Sequence, residues 1–124
     1  MKFGFEIDHV QIAIPVGGED EGRRFFAGLL ELVELPKPIE LALRGGCWFA
    51  LLDRQIHLGV EADFKAANKA HIALNTVALD ELRARLERAG YQTHEDSDID
   101  GRKRFFTHDP FGNRFEFMDR TSRR

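Results

Sequence analysis

Three histidines and a glutamate stand at matching places in four short apolar stretches. Imidazole nitrogens and a carboxylate are the donors that suit Zn, Mn, Fe, Ni or Co. His9 lies in a stretch where Val10, Ile12 and Ile14 alternate with His9, Gln11 and Ala13. His57 interrupts Ile56, Leu58 and Val60 in the same way, and His71 alternates with Ile72 and Leu74. Glu116 sits between Phe115 and Phe117 and shares its parity with Arg114 and Met118. A period of two is the signature of a half-buried strand. If the apolar parity faces a helix, His9, His57, His71 and Glu116 all face the other way. Such ligands would be assembled across strands, which is why no short HxxH spacing is present. The alternative for any one of them is a hydrogen-bonded histidine at a half-buried position. Glu116 is also the candidate catalytic base, since a carboxylate can accept a substrate proton.

Softer candidates surround these four. Gln11 and Asn75 lie one pleat along from His9 and His71 and are candidate substrate contacts. Arg104 and Phe106 share a parity on one stretch, where Arg104 could hold an anionic group and Phe106 could stack on a ligand. His94 and His108 fall at strand ends and read as solvated. Cys47, beside Trp48, reads as a small core residue. Asp96 to Gly101 matches the first six positions of a calcium-binding EF-hand loop, but the twelfth position is Thr107 instead of glutamate. The segment reads as an acidic loop. No GxSxG, P-loop or GxGxxG pattern occurs, which argues against hydrolase and nucleotide-binding readings.

The elements that must position these residues repeat. A strand over 5–14 closes at Pro15 and Gly17-Gly18, and Glu19, Asp20 and Glu21 suit the start of a helix. Phe26, Leu29, Leu30 and Val33 give that helix a buried stripe over 19–33, ended by Pro36 and Pro38. Strands are expected over 39–44, 47–52 and 55–60. After a polar joint at 62–69 the order begins again: a strand over 70–76 and a helix over 80–89 stopped by Gly90. Strands follow over 91–95, 102–107 and 113–118. The expected fold class is therefore α+β, a single domain over 1–124 made of half-modules at 5–61 and 70–119 with a basic tail at 120–124. Neither half can close a core alone. Placed side by side they would form one curved, cup-like mixed sheet with the helices outside.

Composition sets limits on partners. The chain has 124 residues and a net charge of −3, so nothing in it points to nucleic acid. No apolar run approaches the ~20 residues that span a bilayer. Cys47 is the only cysteine, which excludes an intramolecular disulfide and, with no leader visible in MKFGFEIDHVQ, points to the cytoplasm. Eleven phenylalanines against one tryptophan and one tyrosine are expected to be mainly core.

DHVQIAIP, GLLELVELPKP, QIHLGVE, AHIAL and above all HDPFGNRFEF resemble the vicinal oxygen chelate superfamily. That group contains glyoxalase I, fosfomycin-resistance thiol transferases, bleomycin-resistance proteins and extradiol dioxygenases. The resemblance runs from about residue 5 to 119. It implies paired βαβββ modules, often in a homodimer, and a divalent metal in the cup. By position it assigns His9, His71 and Glu116 as ligands, with His57 at the fourth place. Glyoxalase I has a glutamate at that fourth place, and fosfomycin-resistance enzymes use His, His, Glu without a protein ligand there. The expected function is a metal-dependent lyase, isomerase or thiol transferase acting on a small oxygenated substrate, with ring-cleaving dioxygenase chemistry less favoured. The alternative is a metal-free drug- or small-molecule-binding protein of the bleomycin-resistance kind.

Overall fold

The computed structural model describes residues 1–120 of the chain. Arg123 and Arg124 of the expected basic tail lie outside the described residues. The chain is an α+β protein that divides into two compact units, Met1–Lys65 and Ala66–Arg124. The division falls within the polar segment 62–69.

In the first unit, β1 (His9–Ile14) is followed by α1 (Glu19–Arg23), which runs on into a π-helical turn, Arg24–Leu29. Then come β2 (Glu34–Leu35), α2 (Ile39–Ala42), β3 (Cys47–Leu51) and β4 (Arg54–Val60). The sheet order is β1-β4-β3-β2, with β1 parallel to β4 and the other pairs antiparallel. A parallel pair needs a long crossover, and the helices and β2–β3 supply it.

The core face of this sheet carries Ile14, Cys47, Phe49, Ile56 and Leu58, and Phe25 and Phe26 bury against it. Burial pushes the Cys47 thiol up to about 11, so it is an inert packing group at neutral pH. Phe25 and Phe26 are consecutive and both fully buried. Adjacent residues point roughly 100° apart on an α-helix. The wider turn, with the Leu30 amide bonded to the Phe25 carbonyl, presents both rings to the core.

Two expectations for this half are corrected. The helix expected over 19–33 ends at Leu29, and Glu34–Leu35 behind it forms β2, paired with Trp48 and Phe49. The strand expected over 39–44 is instead the short helix α2, begun at Pro38 with the Leu41 amide bonded to the Pro38 carbonyl. Its Ile39 and Leu43 are almost fully exposed, because β2 already holds the place beside β3.

The second unit repeats the pattern: β5 (His71–Thr76), α3 (Leu79–Arg88), β6 (His94–Glu95), β7 (Arg104–His108) and β8 (Arg114–Asp119). The sheet order is β5-β8-β7-β6, with β5 parallel to β8. Leu79 and Leu86 of α3 are buried, as are Phe105, Phe115 and Phe117 on the same side of the sheet. Thr107, also on this face, satisfies its hydroxyl by donating to the Gln92 carbonyl at 2.7 Å. The strand expected over 91–95 shrinks to two residues, and the first strand of the chain begins at His9, later than the expected residue 5. No helix among the described residues is long and apolar enough to cross a membrane.

Candidate metal and substrate site

In the first unit, register places His9 and Gln11 of β1, Gln55 and His57 of β4, and Trp48 of β3 on the sheet face opposite the core. Three rings stack there. His57 lies between Trp48, at 4.2 Å and 5° between planes, and His9, at 4.2 Å and 16°. So enclosed, His57 is only 5% exposed. Burial pushes its pKa below the usual histidine value, with the nearby His9 adding to the effect and Asp8 opposing it. Its Nε2 pairs with Gln55 Oε1 at 2.8 Å.

His9 is more open, and its Nδ1 donates to the Asp8 carboxylate at 2.9 Å. That bond holds the Asp8 carboxyl below its ordinary range. The in-plane lone pairs of His9 and His57 lie in nearly parallel planes, so they run side by side instead of meeting at one point. These residues floor a cleft of about 610 Å³ that Gln11, Lys37 and Arg44 also line.

In the second unit, His71, Asn75, Arg104, Phe106 and Glu116 share the face away from α3. His71 Nδ1 donates to the Lys69 carbonyl at 3.0 Å. That puts a proton on Nδ1 and turns Nε2 toward Glu116 Oε1, 3.1 Å away. A ring nitrogen and a carboxylate oxygen at that distance share a proton or a cation between them. Donors bound to one ion at about 2.0–2.2 Å stand roughly 3–3.5 Å apart, so the spacing also suits a shared metal. His9 is anchored through Nδ1 as His71 is, so each turns Nε2 away from its anchor, the usual arrangement of a metal-binding histidine.

Glu116 is 4% exposed, and its other oxygen, Oε2, accepts from Arg104 Nη1 at 3.1 Å. Phe106 stands directly opposite Glu116, with its ring edge-on to His71 and the Arg114 guanidinium over it at 4.0 Å. Asn75 has its amide oxygen occupied by Arg102 Nη1 at 2.9 Å. Among the described residues no three histidine, cysteine or carboxylate side chains cluster as a complete metal cage. The His9–His57 pair lies in one unit and the His71–Glu116 pair in the other.

Three contributors escaped the sequence reading. Trp48 was legible, because alternation of Cys47 and Phe49 into the core sends Trp48 to the His57 face. Asp8 had a weak signal, an acid next to a histidine. The Lys69 carbonyl had none, since backbone acceptors leave no trace in residue type.

The DPFGN segment proves to be an anchor for β8. Asp109 is 4% exposed; its Oδ1 accepts the amides of Phe111 at 2.9 Å and Asn113 at 2.8 Å, and its Oδ2 accepts Asn113 Nδ2 at 2.9 Å. Gly112, at φ +93°, closes the turn by donating to the Asp109 carbonyl. Asp109→Ala strands two backbone amides and the Asn113 side-chain amide and is expected to cost about 2–4 kcal/mol in urea denaturation. A loss below about 1 kcal/mol would show that the turn holds without it.

Burial raises the Asp109 pKa above 3.8, against the pull of its hydrogen bonds. Its contribution is therefore full below pH 3.8 and lost as pH climbs through the raised value. Over that window Asp109→Asn should gain stability relative to wild type. A constant difference across the pH series would contradict the shift.

The sequence model of the Glyoxalase/Bleomycin resistance protein/Dioxygenase superfamily matches residues 6–117. A comparison with curated proteins finds no match. Among solved structures, a Bacillus anthracis protein assigned to the glyoxalase family is 44% identical over 93% of this chain and 94% of its own, with a TM-score of 0.87. A variant of the fosfomycin resistance protein FosX from Listeria monocytogenes, solved with Mn(II) and dihydroxypropylphosphonic acid, is 16% identical over 92% and 91%, with a TM-score of 0.77. Lactoylglutathione lyase from Agrobacterium tumefaciens is 16% identical over 95% of both chains, with a TM-score of 0.69. The last two likenesses are of fold alone. With its family model matched from residue 6 to 117 and a 44% identical relative along nearly its whole length, the chain belongs to the Glyoxalase/Bleomycin resistance protein/Dioxygenase superfamily.

Proposed function

We propose that this protein is a divalent-metal-dependent enzyme, a lyase, isomerase or thiol transferase acting on a small oxygenated substrate. The ligand set proposed is His9, His71 and Glu116, with Mn, Zn, Fe, Ni or Co as the ion. His57 is proposed to back His9 through its stacked ring, leaving the fourth place to substrate or water. The observation that carries this reading is the His71–Glu116 pair, with Nε2 facing a carboxylate oxygen at 3.1 Å and the histidine's other nitrogen tied to a carbonyl. The Mn(II) bound by the FosX relative lends support.

A bound ion supplies Lewis acidity to two neighbouring substrate oxygens. The remaining work falls to the chain. The Lys69 carbonyl orients His71 and Arg104 orients Glu116, whose Oε1, the oxygen not held by Arg104, serves either as the ligand atom or as the base that takes a substrate proton. Gln11, Asn75, Arg104 and Phe106 are proposed substrate contacts, with Arg104 acting chiefly through Glu116. A homodimer in the cytoplasm is proposed as the working form. The exposed stripe of Phe3, Phe5 and Ile7 before β1 supports self-association, which sedimentation of the purified protein tests.

The deciding experiment is elemental mass spectrometry on protein purified without chelator or nickel resin, followed by titration of the apo form. About one transition-metal ion per chain, lost in His71→Ala, is expected. The stacked rings flooring the first unit's cleft favour one second reading, metal-free binding of a planar small molecule. Absence of tight binding by any of the five ions would overturn the enzyme reading in favour of that one.

A further inference from the structure

Arg104 is immobilised beyond what a surface ion pair requires. Its side chain is 14% exposed, and all three guanidinium nitrogens are engaged. Nε donates to the Ser97 carbonyl at 2.8 Å, Nη2 lies 3.4 Å from Asp96 Oδ2, and Nη1 donates to Glu116 Oε2 at 3.1 Å. The guanidinium also lies over the Phe106 ring at 5.2 Å. A planar fork held at three points cannot turn away without breaking several bonds at once. The two oxygens of Glu116 therefore differ: Oε2 is committed to Arg104, and Oε1 alone looks toward His71 Nε2.

From this we infer that Arg104 is a positioning residue that makes Glu116 a one-oxygen ligand and so selects against large cations. The inference rests on the metal-centre reading above. For Glu116 to chelate an ion with both oxygens, Oε2 would have to leave Arg104, stranding a charged donor beside a buried carboxylate. Among the described residues, the acceptor that Nη1 meets is Glu116 Oε2. Calcium takes six to eight oxygens at longer bonds and readily uses a carboxylate in bidentate fashion. Smaller transition-metal ions, with fewer ligands at shorter distances, are satisfied by a single carboxylate oxygen. Arg104 thereby separates the two classes without touching the ion.

Charge must be distinguished from denticity. Removing Arg104 removes a positive charge, which would strengthen binding of every divalent ion. Because Mn²⁺ and Ca²⁺ carry the same charge, that effect largely cancels in the ratio of their dissociation constants. A change of denticity does not cancel.

The test measures Mn²⁺ and Ca²⁺ binding to the full chain by competition with a fluorescent chelator, in wild type, Arg104→Ala, Arg104→Gln and Arg104→Lys. The expected result is that Ca²⁺ gains on Mn²⁺ by about tenfold in the alanine variant. The glutamine variant, which lacks the fixed fork, should move the same way, and lysine should move least. Infrared difference spectra on Mn²⁺ loading should show a narrower carboxylate stretch separation in Arg104→Ala than in wild type, the mark of a bidentate carboxylate. If either folded neutral variant keeps the wild-type ratio and spectrum while wild type binds Mn²⁺, the inference about Arg104 falls alone. If wild type binds neither ion nor any other transition metal, the metal-centre reading falls and this inference with it.

Discussion

Glu116→Gln will lose tight metal binding while keeping the fold, and the loss should exceed about 100-fold in affinity, since even outer partners of a ligand are worth 10–100-fold. The substitution keeps the volume and leaves an amide oxygen for Arg104 Nη1, now 3.1 Å from Glu116 Oε2. What changes is the group facing His71. An amide N–H in place of Oε1 would donate to an unprotonated His71 Nε2, closing the space between them. The variant is thus self-satisfied without a cation, and its melting temperature should stay near that of the metal-free wild type.

His94→Ala is the control. His94 pairs in register with Phe106, which pairs with Glu116, so all three share a face. Two strand spacings nevertheless separate His94 from β8, about 10 Å. Its loss should leave metal titration unchanged. Equal damage from His94→Ala would mean that the ligands have been misplaced, whereas tight binding retained by Glu116→Gln would remove Glu116 from the set.

The contrast between these two residues shows what the sequence could and could not reveal. Period-two alternation separates the core face from the opposite face along β1, β4, β5 and β8, because a one-residue slip would turn each strand's apolar set out of the core. Face is not position, however. Register puts His94 and Glu116 on the same side, and the strand between them depends on sheet order, on which alternation is silent.

The α2 segment failed for another reason. Ile39-Glu40-Leu41-Ala42-Leu43 alternates like a strand, yet a short apolar run carries no length with which to tell helix from strand. The sheet decided it, by pairing β3 with Glu34 and Leu35 instead. The π-helical turn was likewise hidden, since its cause is the shared need of Phe25 and Phe26 for one core. The DPFGN signature was legible as a turn and as a family mark. Its buried carboxylate, which fixes where β8 and hence Glu116 begin, emerges only from the hydrogen bonds of Asp109.

Gly46→Ala should be the most damaging single methyl in the protein's first unit. Gly46 sits at φ +86°, a region that L side chains rarely adopt, and a Cβ there would lie 2.0 Å from the Leu58 carbonyl oxygen. That oxygen is backbone and cannot swing aside. Cys47 pairs with Leu58, so relief requires β3 to move off β4 where the ladder starts. The Gly46 amide also donates to Glu19 Oε2 at 2.9 Å, tying the turn to the start of α1, and this bond would be strained together with the ladder.

Backbone strain of about 1–3 kcal/mol and overpacking of similar size together suggest a loss of about 3–5 kcal/mol. Gly90→Ala isolates the first term, because Gly90 has φ +95° but nothing within 4 Å of its would-be Cβ. It should cost only about 1 kcal/mol. Urea denaturation of both variants reads the difference directly. Trp48, the one tryptophan, should report the shift of β3 as a change in emission when its stack on His57 loosens. Equal, small losses in the two variants would mean that β3 yields easily, and the ring stack would then be too loosely held to support His9 as a ligand.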